Sequence, residues 1–203
     1  MINRYAAVAA PVGGLLLGVA DFVWIKYVPS PFGALGNSLA VWAVAGFLFT
    51  YFSRWGWARG IAAAIVMLVV AVPSYYLAAA VIQHDDVSNM YDAVAVLWMG
   101  FAVIAGAVFG GAGIAARTPG RWQTVALAMP AAVMVAEAAL VARRIGDASY
   151  GTEPLWSALI NVALGVLITV LIARSWRQRL VALLLAVPLG VVGFGLLSVA
   201  RFG

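Results

Sequence analysis

Cysteine is absent from the 203 residues, which excludes disulfides, thiolate metal sites and thiol nucleophiles. Histidine occurs once, as His84, and lysine once, as Lys26. A single histidine leaves no His-Glu-x-x-His zinc helix and no serine–histidine pair, and no glycine-rich phosphate loop ends in lysine. Lys26 stands at the end of an apolar run, so no mid-bundle amine is available for a Schiff base, which disfavours a retinal-type light-driven protein. Charge is scarce as well. Only 9% of residues are charged, against about 25% in a soluble domain. So few charges do not cover a water-facing surface, and lipid must be the solvent.

Apolar residues fill the space that charge leaves. They make up 66% of the chain, and the mean hydropathy is +1.05. A spanning helix needs about 20 mainly apolar residues, and seven segments meet that length: residues 6–27, 32–52, 60–82, 89–116, 122–142, 154–173 and 180–200. Arg4 and the run after it pass a loose test for a signal peptide, but the run continues to Tyr27 and reads as a retained first helix. The expectation is an all-α, polytopic transmembrane bundle forming a single integral membrane domain over residues 1–203. Seven spanning helices are expected, with six plus a re-entrant last segment as the alternative.

The net charge of +5 does not point to nucleic acid, because the basic residues form no stripe that phosphates could follow. They mark topology instead. Arg4, Arg54, Arg59, Arg117, Arg121, Arg174, Arg177 and Arg179 fall on one side of the predicted spans. Lys26, Arg143, Arg144 and Arg201 fall on the other, together with all seven acidic residues. By the excess of Lys and Arg on cytoplasmic loops, the first side is cytoplasmic and so is the N-terminus. The expected location is a bacterial plasma membrane.

Two patterns recur along the chain. Each helix running inside to outside follows an arginine and contains a proline (Pro11, Pro73, Pro130, Pro188), which suggests hairpin copies of helices 2–3, 4–5 and 6–7. Gly14 and Gly18, and Gly106 and Gly110, place small residues one turn apart, as close helix packing in membranes requires. Four tryptophans towards each side form interfacial belts.

Candidate site residues emerge from depth rather than from motif. Glu137 lies about fifteen residues into its helix, or about 22 Å at the usual rise, in the outer third of a hydrocarbon core about 30 Å thick. Asp21, Tyr75, Tyr76, Asp92 and Asn161 reach the same band from four other helices, and Trp98 and Trp156 lie near it. A membrane carboxylate faces a cavity or a partner. For Glu137 the structural alternative is an ion pair with Arg144, seven residues on and on the same face. The loop His84-Asp85-Asp86 offers oxygen ligands, but adjacent loop aspartates are usually solvated, and no metal, cofactor or catalytic residue is expected.

The stretch Pro31-Phe32-Gly33-Ala34-Leu35-Gly36-Asn37-Ser38, followed by Trp42 and Gly46, resembles the second helix of small multi-pass membrane proteins from actinobacteria of uncharacterised function. The Ala, Val and Arg bias suits a GC-rich genome. A fainter similarity runs to the substrate-capture subunits of energy-coupling vitamin importers, which usually have six helices. The first resemblance implies no activity.

The functional expectation is therefore a small carrier, or the membrane subunit of a transport system. It binds a cationic or neutral polar solute in an outward-facing pocket, with proton coupling through Glu137. The alternative is a non-catalytic accessory or assembly subunit. Expected partners are membrane lipids, the solute and other membrane subunits, not nucleic acid.

Overall fold

A computed structural model describes residues 3–199. Arg201 lies outside the described residues, and so does the side chain of Arg4. Seven α-helices follow in order: α1 (Asn3–Tyr27), α2 (Leu39–Ser53), α3 (Trp57–Gln83), α4 (Ala93–Arg117), α5 (Gln123–Ala142), α6 (Glu153–Ile172) and α7 (Trp176–Val199). Short 3-10 segments, Phe32–Asn37 and Val87–Met90, precede α2 and α4. No strand occurs among the described residues.

Six of these helices are long and apolar enough to cross a membrane. The exception is α2, with 15 residues, or about 22 Å of helix. The apolar run 32–52 is thus one segment by composition and two by conformation. Gly33 and Gly36 lie in a tight 3-10 winding, Ser38 is extended, and α2 begins only at Leu39. The Ser38 hydroxyl accepts the N–H of Val41 at 3.1 Å, an N-cap that fixes this start. The last segment, expected as the doubtful one, is a continuous helix of 24 residues.

The chain clusters into two compact units. One holds the residues up to Val28 with Ala45–Ile114; the other holds Pro29–Val44 with the chain from Ala115 onward. The grouping does not follow the hairpins suggested by the sequence, since α4 up to Ile114 and α5 belong to different units.

In the first unit α1 and α3 run parallel. A Cβ on Gly14 would collide with the Met67 carbonyl oxygen, and one on Gly18 with that of Ala71. The register advances in the same sense on both helices, and the backbones touch directly. On α4, Gly106 lies against the backbone of Ile65, and Gly113 against the carbonyl of Phe47. The Thr50 hydroxyl donates to the Gly110 carbonyl at 2.8 Å. Between lipid-solvated helices there is little hydrophobic drive, and such close approach recovers dispersion and interhelical hydrogen bonds instead.

The second unit repeats the parallel arrangement with α5 and α7. Gly190 approaches Ala132 and Val135, and Gly193 approaches Ala136. Helix α6 packs on α5 where Gly165 meets Ala131 and Met134. The four prolines of the sequence pattern sit inside α1, α3, α5 and α7, the members of the two parallel pairs.

Glycine substitutions separate packing from propensity. Gly18→Ala forces α1 from α3 and is expected to lower the unfolding temperature in detergent strongly. Gly100, which has nothing within 4 Å of its Cβ direction, should tolerate alanine with unchanged or slightly raised stability, the helix preference being about 1 kcal/mol. Equal melting temperatures for the two variants would refute the close α1–α3 seam.

Candidate functional site

The acidic side chains turn out to be occupied mainly by backbone N–H groups. Glu137, on α5, is buried at 8% exposure. Its Oε2 accepts the N–H of Ala40 at 2.6 Å, and the Ser38 hydroxyl hydrogen-bonds to the same carboxylate. Ala40 is the second residue of α2 and Val41 the third. The first turn of α2 is therefore capped twice, locally by Ser38 and from 97 residues away by Glu137.

Magnitudes show why this position is tolerable. An acidic residue near the bilayer centre costs about 3 kcal/mol on insertion scales. Hydrogen bonds to a charged group return about 1.5–3 kcal/mol each, and a partly buried helix N-terminus adds up to about 2 kcal/mol. The expected ion pair with Arg144 does not form: that guanidinium lies over the Tyr150 ring, 5.3 Å from its centroid.

Helix α6 presents a buried polar seam. Ser157, Asn161, Gly165 and Thr169 recur every four residues and are all buried. Asn161 Nδ2 donates to the Ser157 carbonyl at 2.9 Å, while its Oδ1 and the Thr169 hydroxyl are buried without a hydrogen-bond partner. Trp156 lies in the first turn of α6. With Pro31, Phe32, Leu159, Ile160 and Ala163 it lines an apolar groove of about 500 Å³.

The first unit gathers a different group at the end of α1 and α3. Asp21 is buried on α1, and the charges of Asp21 and Asp85 act on the Tyr75 phenol of α3. Phe22 meets the Tyr75 ring edge-on at 5.4 Å, and Tyr75 meets Tyr76 in the same way at 5.4 Å. Asp92 acts on Tyr76, yet its Oδ1 also accepts the Ala95 N–H at 2.7 Å as the N-cap of α4. Trp98 packs edge-to-face on Phe101 at 5.9 Å. Lys26 donates to Gln83 at 2.6 Å.

Of the expected residues, Asp21, Tyr75, Tyr76 and Asp92 come together in the first unit. Glu137 and Asn161 share the α5–α6 packing of the second. Ser38 was missed as a partner of Glu137, although Asn37-Ser38 ahead of an apolar run is a recognisable helix start. In the loops, Asp86 and Asp147 accept from Ser88 and Ser149, which holds both carboxyls below the usual range. Their capping contribution is present above the unfolded-state pKa and is lost only as pH falls through the lowered folded values. Among the described residues no group of three or more His, Cys, Asp or Glu could hold a metal ion.

Six helices long and apolar enough to cross a membrane define a multi-pass α-helical membrane protein. Over residues 2–201 the chain matches a family of unknown function, DUF6518, and it belongs to that family. This agrees with the uncharacterised family anticipated from the stretch at Pro31–Ser38. No curated protein and no solved structure matches the chain.

Removing the remote cap tests its weight. Glu137→Ala leaves the Ala40 N–H buried without an acceptor, a loss of about 1–3 kcal/mol. Glu137→Gln keeps an acceptor oxygen and should lose less. Asp92→Ala, which removes a local cap, should cost about 1 kcal/mol. Denaturation in detergent checks the order, and a Glu137→Ala protein as stable as the glutamine variant would contradict it.

Proposed function

We propose that the protein is a small carrier, or the membrane subunit of a transport system, in a bacterial plasma membrane with its N-terminus in the cytoplasm. It takes a cationic or neutral polar solute from the outer side. The observation that carries this reading is the cluster in the first unit, where the buried Asp21 stands beside the edge-on rings of Phe22, Tyr75 and Tyr76, with Asp85 and Asp92 near the two phenols. Carboxylates beside aromatic faces suit a cation, by charge and by attraction to the ring face. The concentration of all seven acidic residues on that side supports the same sign of solute. In the second unit Glu137 is the group for proton coupling, being a buried carboxylate held by hydrogen bonds rather than by a cation.

A second reading, an accessory subunit of a larger membrane complex, is favoured by the apolar character of the grooves inside both units. One is lined by Trp156 and its neighbours; the other by Ala9, Gly13, Leu17, Phe49, Phe52 and Met67 among others.

Native mass spectrometry of protein extracted gently from its own membrane distinguishes the two. The carrier reading expects one small molecule per chain, lost in Asp21→Asn. Retained polypeptides with no small ligand would replace it with the accessory-subunit reading.

A further inference from the structure

We infer that Glu137 and Asn161 form a proton-binding pair that governs the first turn of α2: ionised, Glu137 caps α2, and protonated, it donates its new O–H to Asn161 Oδ1. The inference deepens the proton-coupled reading of Glu137 and does not depend on which solute is carried.

Three observations converge. First, among the described residues of the second unit the Glu137 carboxylate is held by hydrogen bonds from the Ala40 N–H and the Ser38 hydroxyl, and no ion pair to it is seen. The segment 29–44 that it caps contains no titratable residue. On α6 the only charged residue is Glu153, in the first turn. On α7 the charges are Arg177 and Arg179, at its start, whereas α7 meets α5 at Gly190 and Gly193. Helix α5 carries no other charge; Arg143 and Arg144 follow its end, and the Arg144 guanidinium is engaged with Tyr150. The charge is thus balanced by a helix terminus equivalent to about half an elementary charge. Neutralising Glu137 strands no buried cation, so uptake of a proton is cheaper here than in an ion pair.

Second, Asn161 is short of one thing only, a donor. Its exposure is 3%, its Nδ2 is engaged by the Ser157 carbonyl, and Oδ1 has no partner. Exchanging the amide's N and O would set two acceptors against each other at Ser157, so the orientation is determined. An ionised carboxylate has only acceptors and nothing to offer Oδ1; a carboxylic acid has one O–H donor.

Third, the register places the two groups level. Gly165 on α6 meets Ala131 and Met134 on α5. One turn back from Gly165 on the same face is Asn161. One turn on from Met134 on the same face is Glu137.

The exchange balances without a co-reactant. A solvent proton forms an O–H on one carboxylate oxygen, and the Ala40 N–H is left facing a neutral acid. A neutral acceptor makes the weaker hydrogen bond, and the favourable charge at the helix terminus is gone. The first turn of α2 therefore loosens on protonation, which gives the proton a mechanical consequence.

Infrared titration of the purified protein in lipid bilayers tests this. A carbonyl band from a protonated carboxyl should grow as pH is lowered and be missing in Glu137→Gln. In Asn161→Leu the band should move to higher frequency, because its hydrogen bond is lost; Asn161→Ala reads the same shift should leucine not fit the seam. Amide exchange at Ala40 and Val41 in the wild type should accelerate over the pH range in which the band grows. A band that persists in Glu137→Gln, or that stays in place in a folded Asn161 variant, overturns the pair. A solute retained in mass spectrometry with no such band would remove the pair and leave the carrier reading standing; a normal titration with no solute would do the reverse.

Discussion

The hydrogen bond from Ala40 N–H to the Glu137 carboxylate joins the start of the short helix α2 to α5 within the second unit. An α-helix leaves its first N–H groups unpaired, and in hydrocarbon there is no water to take them up. Helix α2 is too short to carry its start to a well-hydrated level by length alone. Its N-terminus is instead completed by a side chain from α5, with Ser38 satisfying the next N–H. The same contact solves the converse problem, since a buried carboxylate without a cation needs donors, and a helix start supplies them.

Elsewhere the helices are held by surface shape. Lipid tails are as apolar as the side chains, so burying leucine against leucine gains little inside a bilayer. The seams accordingly carry glycine and alanine: Gly14 and Gly18 of α1 against α3, Gly106, Gly110 and Gly113 of α4 against α3 and α2, and Gly165 of α6 and Gly190 of α7 against α5. Large apolar residues such as Leu16, Val81, Leu171 and Leu184 are left exposed, as lipid-facing positions should be. Polar atoms on the buried side then stand out, and Asn161 Oδ1 and Thr169 Oγ1 are conspicuous because they are buried without a hydrogen-bond partner.

The acidic residues share one economy. Asp86, Asp92, Glu137 and Asp147 each accept a backbone N–H, so four of the seven carboxylates in the chain complete a turn or a helix start.

Composition and run length by themselves determined that this is a helical membrane protein. Each long run must satisfy its backbone internally, and only a helix does so within one segment. Pro11, Pro73, Pro130 and Pro188 were legible as a set, and so was the place of Glu137 on a long apolar helix. What residue spacing could not supply was any contact between distant segments. That α2 starts at Leu39 rather than Phe32 depends on Ser38 and on a carboxylate nearly a hundred residues later. That the proline helices pair as α1 with α3 and α5 with α7 depends on which glycine faces which backbone. Hydrophobic periodicity reports the solvent around a helix; the partner it touches is chosen by shape and hydrogen-bond complementarity between residues far apart in the chain, and only the tertiary structure brings those together.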